Sequence, residues 1–349
     1  MKHIFYLSAF FFLIYFTACD TVDSADLSGE WLIPKDQIFD GGPGRDGIPS
    51  IDDPQFINVS SASYLTDDDL VVGFKNGAVV RAYSHPIMDW HEIVNDKVNG
   101  KNIAITYCPL TGSAIAWNRD GLVGGSTFGV SGLLYNTNLI PYDRGSQSNW
   151  SQMMIKSVNG NLIGQEIETS KMVETTFKTW KEMYPNSQIL STNTGFSRSY
   201  GTYPYGGYRT NTDLLFPVNG EDNRLHKKAR VLGIIVGEST ITYSIDSFGE
   251  DISVINNSFS GLKHVAAVSK GKNFAVAYNR ELDDGTLLEF TVVQNELPII
   301  MFDGEGNKWD VFGEAVEGPR AGTLLEATKS FISYWFAWAA FYPNAVIYQ

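Results

Sequence analysis

The chain has 349 residues, with 26 Lys and Arg against 39 Asp and Glu, giving a formal net charge of −13. That balance argues against nucleic acid as a partner, because affinity for phosphate backbones comes from clustered basic side chains. With 43% hydrophobic and 13% aromatic residues the chain can build a sizeable core, which excludes wholesale disorder, and two cysteines exclude a disulfide framework.

Lys2 and His3 precede an apolar run, Ile4 to Phe16, that ends in Phe16-Thr17-Ala18-Cys19. A basic start, a short apolar stretch and small residues before a cysteine describe an export signal. The cysteine makes it similar to the signal of bacterial lipoproteins. Residues 1–18 are therefore expected to be removed, leaving Cys19 as the lipidated N-terminus and residues 19–40 as a polar tether. The predicted location is the cell envelope, periplasmic or surface-facing, with the lipid bilayer as partner through diacylglycerol and palmitate on Cys19. Cys108 is then the single free thiol. The other apolar candidate, Phe331 to Phe341, falls well short of the ~20 residues a spanning helix needs and reads as a buried helix.

Beyond residue 40 the chain contains itself twice. Val71-Val72-Gly73 with Tyr83 is echoed by Val231-Leu232-Gly233 with Tyr243, and Ala114 to Arg119 by Ala275 to Arg280. Tyr142-Asp143 and Trp150 correspond to Phe302-Asp303 and Trp309. Trp180 with Tyr184-Pro185-Asn186 recurs as Trp338 with Tyr342-Pro343-Asn344. The shared order and near-constant offset predict a diverged duplication. The first repeat covers residues 41–200, a connecting segment 201–228, and a second, degenerate repeat 229–349. Locally each copy shows alternating strands, with a hairpin turn at Asn76-Gly77. Each is closed by one helix, near Lys171–Met183 and near Ala321–Ala340. The predicted fold is mainly β (α+β): two tandem β-rich repeats packed with pseudo-twofold symmetry.

Duplication also filters candidates for a site. Features kept in both copies are most simply fold requirements, whereas reactive groups in the first copy alone are candidates. His91 stands opposite Ile252, Asp96 opposite Asn257, and Arg144 opposite Gly304. Cys108, in Tyr107-Cys108-Pro109-Leu110-Thr111-Gly112, has no counterpart thiol. The candidate ligand-binding set is His85, His91, Glu92, Asp96, Cys108, Arg144 and Gln152.

Several chemistries suit these residue types. Cys108 with His91 and His85 could hold a soft or borderline metal ion, Cu or Zn. Cys108 could instead be a nucleophile or redox thiol, its pKa lowered by His91 or Arg144. His91 and Glu92 could act as a base with its orienting carboxylate, if they lie in a helix or loop. Arg144 could clamp a carboxylate or phosphate. A third class is a non-catalytic glycan- or protein-binding scaffold using Tyr203, Tyr205 and Tyr208.

The same segments carry a family resemblance. Asp46-Gly47-Ile48-Pro49-Ser50-Ile51-Asp52, Trp90-His91-Glu92-Ile93-Val94-Asn95-Asp96, Tyr107 to Gly112, and Tyr142-Asp143-Arg144 with Ser148 and Trp150 resemble motifs of the prokaryotic domain-of-unknown-function family DUF 3179. Tyr200-Gly201, Arg230-Val231-Leu232-Gly233 and Trp335-Phe336-Ala337-Trp338 extend the match over nearly all of the mature chain. The resemblance implies an uncharacterised protein, often an envelope lipoprotein, and no established activity. Many members of the family have a second cysteine where Thr111 stands here, so the resemblance implies a single-cysteine role.

Overall fold

The structure is a computed structural model that describes residues 27–349. The signal segment 1–18, Cys19 and residues 20–26 of the tether lie outside the described residues. The chain is mainly β, with three α-helices among the described residues.

Alternating side chains and a two-residue turn start the first sheet. Leu70–Asn76 and Val79–Ser84 pair antiparallel across Asn76-Gly77-Ala78-Val79, with Gly77 at φ 59°, a backbone region that favours glycine. The sheet runs in the order Val173–Thr176, Leu70–Asn76, Val79–Ser84, Gln188–Leu190, Phe56–Asn58. A second sheet orders Thr169–Ser170, Ser113–Asn118, Lys101–Cys108 and Ile93–Val98. A third orders Ile38–Asp40, Phe128–Tyr135, Asn138–Asp143, Asn149–Ser151 and Lys156–Asn159.

Residues beyond 229 form three more sheets. Their orders are Ser330–Tyr334, Arg230–Val236, Ser239–Ser244, Val346–Ile347; then Ser253–Phe259, Leu262–Ser269, Phe274–Asn279; then Phe290–Val292, Ile299–Asp303, Lys308–Asp310, Ala315–Glu317.

The three helices are short. Helix α1 is His85–His91, α2 is Phe177–Met183 and α3 is Trp335–Phe341. The long helices expected near Lys171–Met183 and Ala321–Ala340 are each a strand followed by a seven-residue helix. In the first case Val173-Glu174-Thr175-Thr176 is rich in β-branched residues and pairs with Leu70–Gly73. In the second, Ser330–Tyr334 pairs with Arg230–Ile234. A free sheet edge outcompetes helix propensity at both places. Each helix then stops before Tyr-Pro, as proline requires. Among the described residues no helix is long and apolar enough to cross a membrane.

The two largest apolar clusters each draw on both halves of the chain. One packs Trp117, Phe128 and Trp150 together with Trp335 and Trp338 of α3. The other packs Trp180 of α2 with Phe274, Tyr278 and Trp309. The 201–228 segment, with little regular structure, ties to both halves. Thr137 Oγ1 donates to Phe216 O at 2.7 Å, and Arg224 Nη1 to Ala345 O at 2.9 Å.

Two glycines are set by this packing. At Gly73 an added Cβ would overlap the indole of Trp180, and at Gly233 that of Trp338. Gly73→Ala and Gly233→Ala are each expected to lower the unfolding free energy by about 1–3 kcal/mol, the usual range for overpacking a core. Urea denaturation measures this, and an unchanged midpoint would contradict the packing described.

Candidate functional site

Helix α1 distributes the most reactive stretch of the sequence. Pro86 occupies its first turn, where a missing N–H costs nothing, and Glu92 ends it in the left-handed region at φ 56°. Six residues along an α-helix advance roughly 600°, so His85 and His91 emerge about 120° apart around the axis. They do not share a site. His85 and Asp89, four apart, do share a face.

His91 is fully engaged. Its Nδ1 lies 2.7 Å from Pro49 O and its Nε2 2.7 Å from Tyr200 Oη. A carbonyl only accepts, so Nδ1 carries the proton and Nε2 accepts from the tyrosine. Burial lowers its pKa. The His91–Glu92 pairing considered from sequence does not form, because the left-handed turn sends Glu92 elsewhere. Glu92 is buried beside Cys108 and Tyr205, and burial first, then Asp89, pushes its carboxyl up to about 8.

Cys108 is 1% exposed and belongs to the first apolar cluster, with Ile93, Ala104 and Leu110 among its members. Its Sγ lies 3.7 Å from Thr137 O. Burial, reinforced by the Glu92 charge, pushes the thiol up to about 11. The activation by His91 or Arg144 considered from sequence is absent: His91 bonds Pro49 and Tyr200, and Arg144 bonds other partners. Tyr203 and Tyr205 are half-buried against the same cluster, and Tyr208 is buried in it with its Oη donating to Leu110 O at 2.8 Å.

The remaining candidates hold the fold. Arg144 reaches Asp46 at 3.0 Å and Asp52 at 3.2 Å and donates to Phe128 O at 3.1 Å, so the carboxylates it clamps are the chain's own. Asp96 takes Arg81 at 2.8 Å and the Tyr83 hydroxyl at 2.6 Å. Gln152 accepts from Ser113 and Asn138 and donates to Thr106 Oγ1 at 3.0 Å. Among the described residues no group of three or more His, Cys, Asp or Glu side chains is arranged to hold a metal ion.

Of the set, His85 lines a cavity. A space of about 210 Å³ is walled by His85, Tyr107, Glu174, Arg209, Arg230 and Tyr334, with Asp68 and Asp69 completing the wall. The walls come from both halves. His85 is 3% exposed and Glu174 2%. The His85 ring lies against Tyr107 with centroids 4.2 Å apart. Its Nε2 faces Glu174 Oε2 at 3.7 Å, too long for a hydrogen bond, and both atoms are buried without a partner. Among the described residues no hydrogen bond reaches either ring nitrogen, so Nδ1 is the nitrogen left to face a ligand.

The charges around this cavity are ordered. Burial lowers the His85 pKa, outweighing Glu174, and the positive charges of Arg209 and Arg230 add to the lowering. His85 is therefore neutral at pH 7. Burial works to raise Glu174, but the Arg230 charge holds it below the usual range, so it is a carboxylate. Arg230 is engaged by Glu174 and Asn273. Arg209 Nη2 donates to Asp89 Oδ1 at 2.6 Å and Tyr107 Oη at 3.0 Å, while its Nε and Nη1 make no hydrogen bond among the described residues. Burial pushes Asp89 up to about 7 against the pull of Arg209.

Glu174, Arg209, Arg230 and Tyr334 escape the sequence reading. Two of them carry a signal in the same offsets that revealed the echoes. Arg230 stands opposite Leu70 and Glu174 opposite Ile332. Searching the first half for thiols, imidazoles and guanidinium groups passes over both.

A family model described as "Protein of unknown function (DUF3179)" matches residues 45–345. No curated protein and no solved structure matches the chain.

Two measurements follow from the buried acids. In native protein Cys108 should resist dithionitrobenzoate for about an hour at pH 8 and react fully after denaturation; rapid native reaction would mean an activated thiol. For Glu92 the folded pKa lies above the unfolded one, so the folded state holds the extra proton and stability falls as pH rises from 4.5 towards 8. Glu92→Gln should therefore track the wild type near pH 4 and exceed it by on the order of 3–4 kcal/mol at pH 8. Denaturant midpoints across that range test it, and a pH-independent difference would place Glu92 outside the buried environment described.

Proposed function

The chain belongs to the family of proteins of unknown function DUF3179, and from that premise we propose that it is an envelope lipoprotein that binds a small polar ligand in the cavity where its two halves meet. The observation that carries the reading is a cavity of about 210 Å³ edged by two arginines, in whose wall His85 Nε2 and Glu174 Oε2 are buried without a hydrogen bond and face only each other, at 3.7 Å. Unsatisfied buried polar groups are rare in a finished fold and call for an explanation, and a concave space with convergent polar groups is the usual form of a ligand site.

This relocates the site expected around Cys108. His85 remains in it. His91, Asp96, Arg144 and Gln152 are satisfied by the chain's own groups, and Cys108 and Glu92 sit in apolar packing nearby. A thiol enzyme draws no support from a sulfur 1% exposed with its pKa raised to about 11. A metal centre would need Cys108 beside His85 or His91, whereas Cys108 Sγ lies against Thr137 O, His91 is held by Pro49 and Tyr200, and His85 lies against Tyr107 and Glu174.

The halves are read as diverged copies of one unit. Their sheets share strand order, and equivalent details recur. Asp143 accepts from Trp150 Nε1 at 3.1 Å as Asp303 does from Trp309 Nε1 at 2.9 Å. Asn95 clamps the backbone of Phe128 through both amide atoms, as Asn256 clamps Phe290. The ligand site then lies between copies, the second contributing Arg230 and Tyr334.

Location and binding are separately testable. Wild-type protein should incorporate labelled palmitate and fractionate with membranes, and Cys19→Ala should do neither. For binding, the full-length lipoprotein in detergent is screened by thermal shift against amino acids, organic acids, amines, inorganic phosphate and monosaccharides. A ligand at a hundred times its Kd adds about 2.7 kcal/mol, a readable rise in melting temperature. His85→Ala should abolish that rise. No shift with any class, or a shift that survives His85→Ala, would refute the site.

A further inference from the structure

We infer that the ligand of this cavity is a small zwitterion of the α-amino acid class, its carboxylate on Arg209 and its ammonium on the His85 side. The inference rests on the cavity being the ligand site and adds the chemistry of what enters it.

The unused hydrogen-bonding capacity of the walls is of two kinds. Arg209 spends Nη2 on Asp89 and Tyr107, which fixes the guanidinium plane, and keeps Nε and Nη1 unbonded. Those N–H groups ask for an acceptor, and a carboxylate matches their fork. His85 is neutral and its Nε2 is sealed against Glu174, so Nδ1 presents a lone pair when Nε2 holds the proton. That lone pair asks for a donor. Asp69 points the same way: Thr66 occupies its Oδ2 from both N and Oγ1, and no hydrogen bond reaches its Oδ1 among the described residues.

Charge decides between ligand classes. Among the lining charges Asp68, Asp69 and Glu174 outnumber Arg209 and Arg230, and Asp89, which holds Arg209, adds to the negative side when ionised. A plain carboxylate or phosphate would add negative charge where the sum is already negative, and a plain amine would leave the open Arg209 donors to solvent. A molecule with both groups satisfies both at no net charge. The volume suits a single amino acid rather than a peptide, and the Tyr107 and Tyr334 rings provide an apolar wall for its side chain. Gly112 keeps that wall in place: at φ 56° it lies where a Cβ would fall 2.8 Å from the Tyr334 ring.

The test uses matched series on the full-length protein in detergent: L-amino acids, each beside its des-amino acid and its descarboxy amine, by thermal shift and then calorimetry. At least one amino acid should bind ten-fold or more tightly than both truncated partners. Arg209→Gln should weaken the amino acid and the plain acid ten-fold or more while leaving the amine unchanged, and Asp69→Asn should weaken the amino acid and the amine. Both variants lie outside the buried Glu174–Arg230 pair, and circular dichroism confirms their fold. If a plain acid or amine binds as well as its amino acid, or only sugars or phosphate bind, the zwitterion is refuted while the cavity stands as the ligand site. If nothing in either panel binds, both readings fall together.

Discussion

The ion pair between Glu174 and Arg230 is the constraint on which the site depends. Glu174 stands on the strand beside Leu70–Asn76, and Arg230 opens the strand that pairs with Ser330–Tyr334. Both are largely buried, and the pair joins the two halves of the chain. Burying two charges is expensive, and well-packed apolar residues in their place are often as stable or more so. At the equivalent positions of the other half the chain has apolar residues, Ile332 and Leu70. The pair is therefore poorly explained by stability alone. It also sets the state of its neighbours: Arg230 keeps Glu174 ionised, and the arginines reinforce burial in keeping His85 neutral.

Helix α1 provides the geometry. Seven residues make two turns, enough to aim side chains in separate directions and too few to form a continuous wall. His85 reaches the cavity, and Asp89 on the same face holds Arg209. His91 turns away to anchor the Pro49 segment, and the left-handed Glu92 closes the helix over Cys108. A buried carboxyl at a strained backbone position is costly twice over, in desolvation and in conformation, and such positions cluster at functional sites. Glu92 itself stands outside the cavity wall, near Cys108, at the end of the helix that carries His85.

Much of the architecture was legible in the sequence, and the reason is periodicity. Alternation around Leu70–Tyr83 and Ala229–Ile245 and the Asn76-Gly77 turn report local constraints, and both segments are antiparallel strand pairs. The helices were overextended because Val173–Thr176 and Ser330–Tyr334 are strands only when a neighbouring strand exists to receive them, which is a tertiary fact. The site was legible in one residue, His85. Arg144 and Gln152 carry the right chemistry, but the groups that satisfy them, Asp46 and Asn138 for example, approach through folding that spacing does not reveal. Glu174 and Arg230 become a pair only when distant strands meet.

Tyr83 and Tyr243, matched under the proposed duplication, sit in different surroundings. Tyr83 donates to Asp96, which Arg81 also holds, whereas Tyr243 meets His264 Nε2 at 2.7 Å and Asn257 Nδ2 at 2.9 Å. The same hydroxyl is embedded in charges in the first half and in neutral groups in the second. An ionised network in a low-dielectric setting influences titratable groups over a longer range than a neutral one. The second half has buried charges of its own, Asp303, Asp310 and Arg280, and two of its charged groups meet the first half, Asp310 at Lys75 and Arg230 at Glu174. Of these, the Glu174–Arg230 pair borders the cavity, which is where a ligand held between the halves would need a charge from each side.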